Sequence, residues 1–393
     1  MAINKISSAA ITDATIATAD IANNAVTAAK TSGIPARPNA QPLIINGDMQ
    51  VAQRGTSKTG MKASGIWVCD RWDYHESGSV PEYTMTQESL TSGDAFADGF
   101  SKSLKFDCTT AQTSLSATEY NYMRYKFEGQ NLQLFKKGTA NAEKYTLSFW
   151  VKATKTGTNI CELYDNTNTR HCSIAYTVSS TNTWEKKVVN VPADTTGSIV
   201  NTNALGMEIR FWLLAGSNYT SGTLATTWAS VTAANSAVGQ VNNADSTSNN
   251  WEITAVQLEV GEYTSSTLPP FQHESYGDNL LRCQRYFCMN QNSTQMTGSC
   301  NGSAQWNNAS FYCPVSMRST PSVENFSGVN FWFDDGTAGA DTSISIADIK
   351  HVSNTNNINC NINSMSGLTD NKMISGYVNT TSDSINVEWS AEL

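Results

Sequence analysis

The feature that most constrains this chain is a two-residue alternation of apolar and polar side chains that returns between residues 42 and 261. In Tyr145–Val151, Tyr145, Leu147, Phe149 and Val151 alternate with Thr146, Ser148 and Trp150. In Met207–Leu213, Met207, Ile209, Phe211 and Leu213 alternate with Glu208, Arg210 and Trp212. In Val256–Val260, Val256, Leu258 and Val260 alternate with Gln257 and Glu259. A strand turns successive side chains to opposite faces, so each run predicts a strand with one buried and one wetter face. Further strands are expected at Leu43–Gln50, Trp67–Tyr74, Ser103–Cys108, Tyr122–Phe127, Asn159–Tyr164 and Glu185–Val191, with Gly/Ser/Asn/Asp clusters between them. No strand alternates with a long helical pattern, which argues against βαβ units. About ten strands over roughly 220 residues predict an all-β, two-sheet sandwich or jelly roll.

Composition agrees and removes other classes. Ser, Thr and Asn fill 127 of 393 positions, and charged residues only 15%; such a chain suits strands and turns. No apolar run approaches the roughly 18 residues of a membrane helix, and Met1–Lys30 lacks the basic head and apolar core of a signal peptide, so no membrane insertion is expected. A net charge of −9 without a Lys/Arg cluster makes nucleic acid a poor partner. The nine cysteines contain no C-x-x-C, which argues against a zinc framework or a small disulfide scaffold. They read as reduced thiols filling cores, from synthesis in a reducing cytoplasm.

The first thirty residues differ. Ile6, Ile11, Ile16, Ile21 and Val26 recur every five residues, with Ala9, Ala14 and Ala19 two positions before three of them. A helix rotates such residues off one stripe and a strand flips them between faces; a coil turning a corner every five residues points them all inward. The segments AAITD, ATIAT, ADIAN and NAVTA resemble the pentads of pentapeptide-repeat proteins. The resemblance implies little more than one turn of coil, which would order only against copies of itself or another protein. The composition equally allows a flexible Ala/Thr tail or a short helix. TSGIPARPNAQP, residues 31–42, reads as a linker.

A junction follows the alternating region. Pro269 and Pro270 cannot continue a central strand. Asp278 is a fair N-cap for a short helix through about Gln284, with Leu280, Leu281 and Cys283 as its apolar side. Arg282 and Arg285 sit where the helix dipole favours positive charge. Residues 288–393 are again strand-like. FWFDDGTAG (331–339) reads as a strand and an Asp-Gly turn, not as the D-x-[DN]-x-[DN]-G metal loop that Asp334, Asp335 and Asp341 would need. HVSNTNNINCNINSMSG (351–367) is dense in Asn, a composition that makes turns and Asn ladders but buries little.

The runs LIINGDMQVAQRG, DRW (70–72), YTLSFWVKA, TWEKKVVNVP, MEIRFWLLAGS and WEITAVQLEVG, in that order, resemble the jelly-roll region of phage tail-fibre proteins, itself similar in layout to jelly-roll carbohydrate-binding modules. LPPFQHESYGDNLLRCQRYF (268–287) resembles the junction of those fibres, and FYCPVSMRSTPSV and VEWSAEL resemble their tips. The resemblance implies four parts: an N-terminal attachment repeat and linker (1–41), a jelly-roll sandwich (42–267), a junction with a short helix (268–287) and a small β tip domain (288–393). It implies a homotrimeric virion fibre or spike, held to other virion proteins through Ile6, Ile11, Ile16, Ile21 and Val26, with the tip touching a host surface glycan or protein. A head- or neck-attached decorating fibre has the same features. A free carbohydrate-binding module or glycan-degrading enzyme is the remaining class. Jelly-roll sugar binders often carry a structural calcium between the first strand and an acid in the last; here Asp48 is present, but Ala255 stands where that acid would be, so no metal or other cofactor is expected.

Searching for chemistry returns little. None of His75, His171, His273 and His351 lies in H-E-x-x-H or near a Cys at ligand spacing, and G-x-S-x-G, G-x-x-x-x-G-K-[ST] and G-x-G-x-x-G are absent, so no enzyme is expected. The remaining candidates are aromatic. Trp72 and Trp251 read as core. Trp150 and Trp212 lie opposite the apolar sets of their strands; that face can stack on sugar, pack against a second protomer or sit under a loop, with the protomer contact favoured. In the tip, Trp306, Tyr312 and Trp332 are the expected receptor or glycan contacts.

Overall fold

The computed structural model describes residues 41–78, 81–290, 295–301, 305–325, 330–334, 339–343, 349–355, 357–363, 373–379 and 387–393. The expected attachment residues Ile6, Ile11, Ile16, Ile21 and Val26 lie outside the described residues. The chain is all-β: a jelly-roll sandwich followed by a smaller β region.

Two six-stranded antiparallel sheets form the sandwich. The first runs β1 (Ser57–Met61), β3 (Glu82–Ser89), β4 (Lys102–Thr110), β12 (Asn250–Val260), β6 (Tyr145–Ala153), β9 (Glu185–Val191). The second runs β11 (Ala229–Ser230), β8 (Arg170–Val178), β7 (Gly157–Asp165), β10 (Leu205–Ala215), β5 (Tyr120–Glu128), β2 (Trp72–Ser77). Most connections cross from one sheet to the other. The alternation decides the inner faces: Tyr145, Leu147, Phe149 and Val151 of β6 meet Met207, Ile209, Phe211 and Leu213 of β10 in one buried cluster. Phe149 and Phe211 pack edge to face at 5.0 Å. Trp72 and Trp251 are fully buried there, as expected; truncating such a ring costs about 3–5 kcal/mol.

Two expected strands near the start of the sandwich differ from the sequence expectation. Residues 43–50 are not a strand but a tight double turn, with Asn46 and Met49 at φ near 58° and 59°. Asn46 holds it: its Nδ2 donates to Val51 O and Asp70 O at 2.8 and 2.9 Å, and its carbonyl accepts the Trp72 indole N–H at 2.9 Å. The apolar residues still reach the core, which is why the pattern resembles a strand. Likewise β2 starts only at Trp72, after Arg71 takes a φ of 73°.

The junction helix, Tyr276–Gln284, begins three residues earlier than expected. Ser275 is its N-cap; Ser275 Oγ accepts from Asp278 N at 3.2 Å and donates to Asp278 Oδ2 at 2.7 Å, so the cap and the third helical residue hold each other. Its buried side is Asn279 and Cys283, whereas Leu281 is exposed.

In the C-terminal region β13 (Phe287–Asn290), β22 (Val387–Ser390) and β16 (Ser322–Asn325) form a small sheet. A seven-stranded sheet runs β18 (Gly339–Ser343), β17 (Asn330–Asp334), β21 (Met373–Asn379), β14 (Gln295–Cys300), β15 (Trp306–Tyr312), β20 (Asn357–Ile362), β19 (Ile349–Ser353). The described part of the Asn-rich segment is largely strand, and it does bury side chains: Ile358, Cys360 and Ile362 alternate into the second core beside Trp306, Phe311 and Trp389. All nine cysteines are buried and none forms a disulfide. The seam to the sandwich is ionic: Glu392 pairs with Arg71 and lies 3.7 Å from Arg54, while Arg318 donates to Ala391 O and Glu392 O at 2.7 and 2.8 Å.

Candidate functional site

The outer face of the first sheet is crossed by the connection between β3 and β4. Leu90 N donates to Ser101 O at 2.9 Å and closes this loop. The loop contains one helical turn, Asp94–Ala97, preceded by Gly93 at φ 89°. A Cβ on Gly93 would sit 3.1 Å from the Trp184 ring, so glycine is what allows the loop to lie against that indole. Leu90, Ala95 and Phe100 bury Trp184 in a small cluster outside the main core, with Trp150 and Phe271 packed against it.

Between this loop and the turn before β9 opens a cleft of about 320 Å³, at the small end of the range for small-molecule sites. Trp184 and Leu90 form the apolar wall, Asn182 and Glu88 stand at the rim, and Lys105, Lys152, Asn250 and Glu252 come up from β4, β6 and β12. The floor is preorganised. Glu252 accepts from Ser103 Oγ at 2.5 Å and pairs with Lys152 Nζ at 2.6 Å. Lys152 Nζ also lies 4.9 Å from the centre of the Trp184 ring. Asn182, at φ 55°, is fixed by its N–H donating to Ala153 O at 2.9 Å. An indole edge with amides, an ammonium and a carboxylate within one small cleft suits a polyhydroxylated ligand, because each hydroxyl both donates and accepts.

The sequence-predicted residues fall elsewhere. Trp150 is covered by the chain's own loop: its indole N–H donates to Asp98 Oδ2 at 3.0 Å, and Lys186 pairs with the same carboxylate at 3.0 Å. Trp212 is buried under Tyr219 and against Tyr120 and Tyr122. Within the chain, Trp212 is buried under a loop and Trp150 is half-buried against one, the third of the roles this face can play. Trp306, expected at the receptor surface, is fully buried. A bulge between Trp306 and Ala309, with Asn308 at φ 53°, reverses the alternation; Trp306 and Phe311 then face the same core despite an odd separation. Gly298 admits the indole, since a Cβ there would lie 2.2 Å from Trp306 Nε1. Tyr312 is 67% exposed. Trp332 lies on β17, opposite Asp341 and Tyr377; its side chain is outside the described residues. Sequence reasoning does not single out Trp184, although it opens the run TWEKKVVNVP; a Trp in a Thr/Asn-rich turn is the available signal.

The second sheet's outer face carries a row of alternating charge. Asp73 bonds Arg124 at 2.7 Å; Arg124 lies 3.4 Å from Glu208; Glu208 bonds Arg210 at 2.7 Å; Arg210 lies 3.4 Å from Glu162; and Glu162 bonds His171 Nδ1 at 2.8 Å. Each member pairs with the next, so the row reads as a structural tie across five strands. Burial pushes the Asp48 carboxyl above its usual range, and Ala255, at φ 57° in a bulge of β12, offers only a methyl group. Elsewhere an ammonium fills a cation's place: Lys137 Nζ lies 3.3 Å from Asp165 and 2.9 Å from Asp194, with Trp228 3.4 Å away, all but the indole fully buried. Among the described residues no three His, Cys, Asp or Glu side chains converge as a metal site.

Fold and cleft together define a jelly-roll β-sandwich protein with a smaller C-terminal β region. No family model matches the chain, and no curated protein matches its sequence. Among solved structures it is similar to the enzymatically active domain of tailspike protein 4 of bacteriophage CBA120, at 15% identity over 48% of this chain and TM-score 0.26. It is similar to a family 4 carbohydrate-binding module at 10% identity, covering 55% of this chain and 97% of the module, TM-score 0.28. The family 11 module from Clostridium thermocellum gives 10% identity, 56% and 98% coverage and TM-score 0.25. The chain spans only 19% of the tailspike's length.

Proposed function

We propose that this protein is a phage virion fibre whose sandwich and tip contact glycans on the host surface. The observation that carries the reading is the cleft beside Trp184, where the Glu252–Lys152 pair, Asn182 and Asn250 line a small polar space with one aromatic wall. The fibre assignment is supported by the runs from LIINGDMQVAQRG to VEWSAEL, which resemble phage tail fibres in their order along the chain. A trimer would present three clefts on one particle, and linked weak contacts bind with avidity well beyond any single one. Residues 1–41 would join the fibre to the particle.

The test is adsorption blocking. Host cells are incubated with purified protein and free phage is counted. Dose-dependent blocking is expected, and Trp184→Ala should weaken it at least tenfold, since the buried indole forms the wall that shapes the cleft. No blocking by a folded trimer would favour a decorating fibre on the head or neck. Release of sugar fragments during incubation would move the protein among glycan-degrading enzymes.

A further inference from the structure

The tip sheet carries a row of amides on its outward face. β20 reads Asn357-Ile358-Asn359-Cys360-Asn361-Ile362; Ile358, Cys360 and Ile362 are buried, so the asparagines share the opposite face. Their side-chain carbonyls are tied toward β15. Ser310 Oγ donates to Asn359 Oδ1 at 2.6 Å. Asn308 N–H donates to Asn361 Oδ1 at 3.1 Å. Just past the strand, Gln305 Nε2 donates to Asn363 Oδ1 at 2.6 Å, while Gln305 Oε1 accepts from Asn301 Nδ2 at 3.0 Å. A backbone N–H can only donate, so the orientation of Asn361 is fixed. With the carbonyls of Asn359 and Asn361 engaged toward β15, their NH2 groups lie on the β19 side of the same face. They form a donor row at two-residue spacing, about 6.6–6.8 Å per step.

Tyr312 ends this row. It is 67% exposed and sits directly across from Asn357. Ser310 and Tyr312 alternate with the buried Ala309 and Phe311, so the ring belongs to the amide face. Residues 288–393 hold three Lys or Arg against nine Asp or Glu, a balance that repels polyanions. A row of donors beside an aromatic ring, on an acidic domain, asks for an uncharged ligand rich in acceptors. Among sugar substituents the acetamido carbonyl is the strong neutral acceptor.

We propose that this face is a second glycan site, for an uncharged glycan bearing acetamido groups, with Asn359 and Asn361 donating to its oxygens and Tyr312 stacking on a sugar ring. It rests on the glycan-contact reading above and adds the ligand class and the donors. The full chain is titrated with hexa-N-acetylchitohexaose, cellohexaose and polygalacturonate. The acetamido oligomer should bind at least tenfold tighter than the other two. An Asn359→Asp/Asn361→Asp double variant should lose that affinity tenfold or more. Asp keeps an acceptor for Ser310 and for Asn308 N–H but removes the NH2 donor, so the fold is retained and an unchanged thermal transition verifies it. Tyr312→Ala should lose it as well.

Binding unaffected by the double variant, or preference for polygalacturonate, would overturn the site. So would a double variant whose main effect is fewer chains per particle, because the face would then be a subunit contact. If binding and adsorption blocking depend on Trp184 alone, the tip site falls and the glycan-contact reading stands. If no probe binds and nothing blocks adsorption, both fall.

Discussion

Asp70 is a residue at which the fold works against its own charge. It is fully buried, and its carboxyl is pushed up to about 6, first by burial and in part by Glu392, against the Arg54 charge and hydrogen bonds from Gln53. An unfolded aspartate titrates near 3.9. The folded chain therefore holds this proton more tightly than the unfolded one. The group's contribution is most favourable below about pH 4, declines as pH rises to about 6, and is flat beyond. The gap between the folded and unfolded values corresponds to about 3 kcal/mol. Asp70→Asn removes the titration, so its stability relative to the parent should rise by up to that amount between pH 4 and 6, read by urea unfolding at each pH. A difference that does not vary with pH would refute the assignment. Other carboxyls run the opposite way: burial works against Glu128, yet Arg285 and Tyr286 hold it below its usual range. Only the difference between variant and parent isolates Asp70.

At the scale of the element, bulges decide which side chains are seen from outside. Simple alternation places Trp306 with Tyr312 on one face, and the left-handed residue Asn308 separates them. Left-handed backbone disfavours residues with a Cβ but is tolerated by Asn and free for Gly. Asn308→Ala should therefore cost about 1 kcal/mol, whereas Asn308→Gly should be near neutral, both measured by thermal unfolding of the full chain. Equal effects would show that the Asn side chain, and not the backbone, sets the bulge. The same reasoning bounds what the sequence reveals. Runs such as YTLSFWVKA and MEIRFWLLA carry unbroken alternation, so their strands and inner faces are legible. Residues 43–50 carry the apolar content of a strand, but the side-chain bonds of Asn46 override it. Alternation rightly sets Trp150 and Trp212 opposite the core set of their strands. What covers them comes from residues 90–100 and 217–237, and no local pattern announces a loop folding back over a sheet. The Trp184 cleft is hidden for the same reason, since its walls come from segments nearly a hundred residues apart.

At the scale of the molecule, residues 90–100 and 217–237 cover part of each outer face of the sandwich, so less of those faces is left for subunits of a fibre to share. A trimeric fibre would give three chains per particle in light scattering. A stable particle of 42.6 kDa at micromolar concentration would remove the fibre reading. The buried ammonium of Lys137 has a further consequence. Bound calcium stabilises a fold only as far as its free concentration allows. Here the cation between Asp165 and Asp194 is part of the polymer. Dilution into soft water, or passage through a chelating medium, leaves this corner of the sandwich as firmly closed as it was at assembly.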